Sequence, residues 1–245
     1  MEKPPIYLEI NLNNRKPRPM GFLRSLSRTY SEVELLWLIK KAAADKKLSG
    51  MVLNTSGLSC DRSFLWELRT ALEKFKATGK KIIAYFEEAD LDLYCMVSVA
   101  DKVVIDKSGT VAFFGYSMGR LYVKETLEKI GAGFREMRYL DYKTANEMFS
   151  RTDMSEADRE QYGAYLDEIF SSTKNTIQKA RGFDDEKFNS LLNNCFLFSS
   201  KDALDKGLAD AAGREEAVNA AICEMEKIEK TEKNEKDEIA VFKVW

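Results

Sequence analysis

Residues 50–85 read GMVLNTSGLSCDRSFLWELRTALEKFKATGKKIIAY. Gly50–Leu53 is a short apolar run, the mark of a strand buried on both faces. Asn54–Ser59 is rich in turn formers. From Asp61 to Ala77, Phe64, Leu65, Leu68, Ala71, Leu72 and Phe75 fall on one helical face, and Gly79 closes the helix. Lys80–Tyr85 is a second apolar strand. Strand, helix and strand within 36 residues imply a βαβ crossover and a parallel sheet.

The pattern extends in both directions. Ile6–Leu12 alternates apolar and polar side chains as a first strand, and Asn13–Ser27, basic and holding Pro17 and Pro19, reads as a loop. Ser31 opens a helix with Glu34 at the capping-box position. Downstream, Asp90–Ala100 is a short, mostly apolar helix and Lys102–Ile105 a strand. Ser108–Gly115 reads as a turn and second short strand, Arg120–Ile130 as an amphipathic helix closed by Gly131, and Gly133–Leu140 as a strand. Ser155–Arg181 is the longest helical pattern, with Ser155 as N-cap and Glu156 and Asp158 facing the helix dipole. Short helices follow at Asp184–Asn193, Ser199–Lys206 and Glu215–Met225, with a short strand at Leu208–Ala212. Residues 1–225 therefore read as one domain. Residues 226–238 are a charged helix or linker, and 239–245 an apolar run that starts a further strand or domain.

Composition excludes several chemistries. The chain has 245 residues, 44% hydrophobic and 32% charged, with net charge −2, so no basic field points to nucleic acid. It has no histidine, which rules out Ser-His-Asp, Cys-His and His-metal sites within it. The four cysteines, Cys60, Cys95, Cys195 and Cys223, have no CxxC spacing, so no metal site and no cofactor is expected. No apolar run has the length of a membrane span, and no signal peptide is visible. A base in this chain must be Lys, Asp, Glu or Tyr.

The stretch 138–159, RYLDYKTANEMFSRTDMSEADR, carries the candidate base. Lys143 follows the expected strand, where a general base or an anion anchor would sit; the plain alternative is a solvated surface lysine. Glu147, one turn on, reads as a solvated or lysine-paired carboxylate. Cys95 lies within an apolar helix and reads as inert packing. Cys60 precedes a helix whose N-terminus would favour a thiolate. Phe113, Phe114, Tyr116 and Tyr122 either line an apolar groove or fill the core.

Four strings in order resemble the signal peptide peptidase A (protease IV) family. Ser98-Val-Ala-Asp-Lys-Val-Val104 is similar to the family's SAADKIV, and Gly109–Gly115 to its paired-glycine turn. Leu127–Gly131 followed by Tyr142-Lys-Thr-Ala145 resembles LEKIG and YKSA, and Met154–Gln161 resembles MSxxxREQ. The resemblance implies a ClpP/crotonase-like α/β fold, a parallel-sheet core of repeated ββα units with a long helix after the Lys143 stretch. It matches the N-terminal, lysine-bearing domain of the two-domain form. There Lys143 would be the general base of a Ser/Lys dyad, with Thr144 in place of the usual serine as a supporting residue. The matching segment for the nucleophile, Leu91-Asp92-Leu93, has no serine, so no nucleophile is identified. Gly57 is retained from the oxyanion glycine pair, while Leu58 stands at the second position.

The implied function is one half of a serine peptidase acting on hydrophobic or signal peptides. The implied partners are a serine-bearing homologous domain or subunit and apolar peptides, in a homo- or hetero-oligomer associated with a membrane. The alternative is a catalytically silent crotonase-fold scaffold that binds peptides or assembles; acyl-CoA chemistry is disfavoured by the missing glycine pair.

Overall fold

The alternation of short apolar runs and amphipathic segments folds into a mostly parallel sheet with helices, as a computed structural model of the chain shows. The structure describes residues 4–12, 31–194, 196–228 and 240–244. The expected loop 13–27, most of 226–238 and Cys195 lie outside the described residues. By internal contacts the chain divides into two compact units, 1–114 with 176–245, and Gly115–Asn175.

In the first unit, β1 (Ile6–Asn11), β2 (Gly50–Asn54), β3 (Lys81–Ala89) and β4 (Lys102–Ala112) alternate with α1 (Glu32–Ala44), α2 (Arg62–Lys76) and α3 (Leu91–Val97). These four strands pair in parallel in sequence order. Ser31 and Glu34 form the expected capping box of α1. Asp90 caps α3 by accepting the Leu93 N–H. The expected separate turn and strand over Ser108–Gly115 are instead part of one eleven-residue β4, whose pairing with β3 shifts register between Phe86 and Glu88.

Four helices follow, α6 (Glu156–Arg181), α7 (Asp185–Asn194), α8 (Ser200–Asp205) and α9 (Glu215–Glu226), of which α6 begins in the second unit. Between them, β5 (Leu197–Ser199) runs antiparallel to β4, and β6 (Ala211–Ala212) parallel to it. No sequence signal picked out β5, because three residues are too few to show a period. β7 (Ala240–Val244) extends the sheet beside β1, giving the order β5-β4-β3-β2-β1-β7.

Strand parity sorts the core into two layers. Tyr7, Val52, Ile83, Tyr85 and Val104 face α9 and pack with Ala217, Ala221 and Ile222. The alternate residues Met51, Leu53, Ile82, Ala84 and Phe86 are buried as well, and α2 contacts β3. Phe113 is core, touching Tyr94, Phe188 and Phe198, whereas Phe114 is exposed beside Phe196. No helix among the described residues is long and apolar enough to cross a membrane.

The second unit holds α4 (Lys124–Lys129), α5 (Glu147–Ser150) and the first turns of α6. α4 is shorter than the expected Arg120–Ile130, because the Val123 N–H donates to Met148 O instead of closing an earlier helical turn. Gly133–Leu140, expected as a strand, is not one. No strand lies in this unit to pair with it; Phe134 stacks on Phe149 and Arg138 pairs with Glu147.

Gly50 carries a checkable constraint. A Cβ there would fall well inside van der Waals contact of the Tyr7 ring and of Lys81 O. Gly50→Ala should lose roughly 1–3 kcal/mol in urea unfolding from overpacking, and an unchanged midpoint would contradict the close approach.

Candidate functional site

Lys143 is presented by a loop that is pinned on both sides of it. On one side, the Tyr142 hydroxyl donates to Glu160 Oε2 at 2.7 Å. On the other, the buried Thr144 donates its hydroxyl to Asp158 Oδ1 at 2.6 Å. Arg120 donates to Thr144 O and to the Tyr162 hydroxyl, and its guanidinium lies 3.3 Å from Asp158 Oδ2. Both acceptor carboxylates stand in the first turns of α6, whose start is capped by Ser155 accepting the Asp158 N–H. The Lys143 side chain is exposed, with no hydrogen bond or ion pair to the described residues, while its N–H donates to Leu140 O. Thr144 therefore fixes the backbone rather than the amine.

Glu147 departs from the solvated carboxylate that its position suggested. It has no exposed surface and pairs with Arg138. Burial alone would raise its pKa, but the Arg138 guanidinium, with Ser155 nearby, outweighs it and holds the carboxyl below the ordinary value of 4.5. Chain direction explains the surprise: residues 133–140, taken as a strand, return as a loop that brings Arg138 to Glu147.

In the first unit, Gly57 is the third residue of a turn closed by Leu58 N–H to Thr55 O, with φ 73°, a conformation that favours glycine. Asn54 Oδ1 accepts the Ser56 N–H. The Gly57 N–H has no acceptor among the described residues, so one backbone donor remains where the turn consumes the Leu58 donor.

Leu91 and Leu93 are buried, and Asp92 lies 3.5 Å from Arg62, so the first turn of α3 presents no hydroxyl. Ser98 is buried and bonded to Arg69 and Cys95 O. Cys60 lines a cavity of about 270 Å³ with Ser59, Glu88 and Asp90. Burial, then the charges of Glu32, Asp61 and Asp90, push its thiol up to about 11. This overrides the helix N-terminus that sequence alone suggested would favour a thiolate. Burial likewise pushes Cys95 up to about 11. No cluster among the described residues is fit to hold a metal ion.

The mostly parallel α/β sheet flanked by helices is that of the ClpP-like fold class. The sequence model of Peptidase family S49 matches residues 74–230, and the chain belongs to that family. It is 27% identical over 176 residues to Protease 4 of Salmonella typhi, covering 71% of this chain and 27% of that protein. It is 29% identical over 161 residues to Protease 4 of Haemophilus influenzae, covering 65% and 26%. Against the chloroplastic serine protease SPPA of Arabidopsis thaliana it is 27% identical over 153 residues, covering 62% and 23%. The matched segment thus spans about a quarter of the length of these relatives. A mutant of a membrane-bound stomatin-specific protease (1510-N) shares the fold, with a TM-score of 0.54 at 8% identity over 100% of this chain and 99% of that one.

Two outcomes check the site. Glu147, with its folded-state pKa depressed, contributes stability in full above about pH 4.5, lost as pH falls through the lower folded value. Glu147→Gln should cost roughly 1–3 kcal/mol in urea unfolding at pH 7, with the gap to wild type closing on acidification. Iodoacetamide labelling of Cys60 should be slow at pH 7 and keep accelerating towards pH 11; a plateau by pH 8 would show an activated thiol.

Proposed function

We propose that this chain is the lysine-bearing half of a protease IV-like serine peptidase. Lys143 acts as general base, and the nucleophilic serine comes from a homologous domain or subunit. The observation that carries this reading is the pairing of a doubly pinned loop with an unengaged amine at its centre. A solvated surface lysine needs no buried threonine–aspartate bond beside it. The family membership and the three protease relatives, each longer than the matched segment, support the same reading.

In the reaction, Lys143 Nζ takes the serine hydroxyl proton as the serine oxygen bonds to the peptide carbonyl carbon. The resulting ammonium returns the proton to the leaving amine as the C–N bond breaks, leaving an acyl-serine that water hydrolyses by the same relay. Lysine serves as a base only where desolvation or nearby cations favour the neutral amine. Lys143 is exposed, and Tyr139, Leu140 and Tyr142 around it are 95%, 63% and 53% exposed. A partner seated on these side chains would supply the desolvation. The serine-bearing partner would also bring its own oxyanion donors. The substrates are apolar peptides, such as remnants of signal peptides.

The alternative, a silent scaffold, is favoured by the missing hydroxyl at Leu91–Leu93 and by the consumed Leu58 N–H. Mixing the chain with a serine-bearing homologous domain and assaying an apolar peptide separates the two. Lys143→Ala should lower cleavage by at least about a hundredfold while the mixed assembly still forms. Assembly with equal activity from both chains would establish the scaffold. Cleavage by this chain alone would reveal an unrecognised nucleophile.

A further inference from the structure

The α9 face of the sheet changes character along the strands. Tyr7, Val52, Ile83 and Tyr85 are apolar or aromatic and packed under α9. The next positions of the same parity, Glu9, Asn11, Asn54 and Glu87, are polar, although the opposite face stays apolar through Ile10, Leu53 and Phe86. Where the polarity changes, a cavity of about 430 Å³ opens between the strand ends and the start of α9. That is within the size range of small-molecule sites. Val52, Val218 and Val241 give it an apolar floor.

Its lining carries charges of both signs. Arg214 is held by its Nε, which donates to Asp106 Oδ2 at 2.9 Å, leaving its two terminal nitrogens for another acceptor. Asp106 is itself buried and fixed. It accepts the Tyr85 hydroxyl at 2.8 Å and both the hydroxyl and N–H of Ser108. These Ser108 bonds, with Arg214 and Tyr85, keep its carboxyl well below the ordinary range. Glu87, which lines the same cavity, is exposed, and its side chain makes no hydrogen bond or ion pair with the described residues. It is near enough to favour the charged form of Arg214 without touching it. Glu9 and Glu215 add negative charge to the same rim.

A braced guanidinium and an unbonded carboxylate that line one cavity with Val52, Val218 and Val241 match a ligand with an anionic end, a cationic end and an apolar body. We infer that this cavity binds a short apolar peptide with free termini, of dipeptide size, with its carboxylate on Arg214 and its ammonium towards Glu87. A guanidinium fork suits a carboxylate, and the acidic rim suits the ammonium. The apolar side chains of the ligand would cover Val52, Val218 and Val241.

The site is tested on the chain alone, where no cleavage is expected, so its failure would leave the peptidase proposal standing. Titration with leucyl-leucine, followed by amide chemical shifts, should saturate with a Kd of about 0.1–1 mM. Shifts should concentrate at Asn54, Tyr85, Glu87 and Val218. N-acetyl-leucyl-leucine, which lacks the ammonium, and leucyl-leucine amide, which lacks the carboxylate, should each bind at least about tenfold more weakly. Glu87→Gln, at an exposed position, should lose the preference for the free ammonium, and Arg214→Gln the preference for the carboxylate. If Arg214→Gln fails to fold, the blocked peptides and Glu87→Gln still decide. Absence of saturation up to about 10 mM, equal binding of the blocked peptides, or shifts elsewhere would overturn the inference.

Discussion

The Asp158 carboxylate is the fixed point of the Gly115–Asn175 unit. It is buried, accepts Thr144, and faces Arg120, which in turn holds Thr144 O and Tyr162. In this unit the buried residues are Thr144, Glu147, Asp158 and Thr173, and no apolar side chain is buried among them. Its geometry therefore rests on directional polar bonds, not on apolar burial. A buried ion pair contributes little net stability, because the desolvation of both charges offsets their attraction, but it allows few alternative arrangements. The loop that carries Lys143 is therefore restricted in its arrangement more than it is stabilised.

The first unit is built in the opposite way. Its sheet buries residues of both parities, so the strands read as continuous apolar runs. Asp106, a buried carboxylate, accepts from Tyr85, Ser108 and Arg214. The two units differ in this respect. The first has an apolar core, whereas the second exposes Met118, Leu121, Ile130, Met137 and Tyr139 over a polar frame.

What the sequence showed follows from this division. Over residues 50–85 the strand, helix and strand are each backed by local pattern and by burial, and all three form. The capping box of Ser31 and Glu34 is local chemistry, readable from neighbouring residues. Gly133–Leu140, expected as a strand, has no neighbouring strand in its unit to pair with. Glu147 differs from its expected reading because its partner, Arg138, is brought to it by loop geometry that no period encodes. Lys143 itself was legible only by resemblance; spacing alone did not distinguish it from other lysines. The polar positions Glu9, Asn11 and Asn54 were visible as residues, but their common face became meaningful only with the strand register.

Two parts of the chain use their polar groups differently. Around the turn at Thr55–Leu58 and the start of α3, buried leucines fill the helix start and the turn takes up the Leu58 N–H. The Lys143 loop is built the other way. Tyr142 and Thr144 are each tied to a carboxylate of α6, two residues apart on the helix, and the lysine between them projects free. Keeping Asp158, Thr144 and Arg120 desolvated has a cost, which their mutual bonds offset, and those bonds fix the backbone on both sides of Lys143.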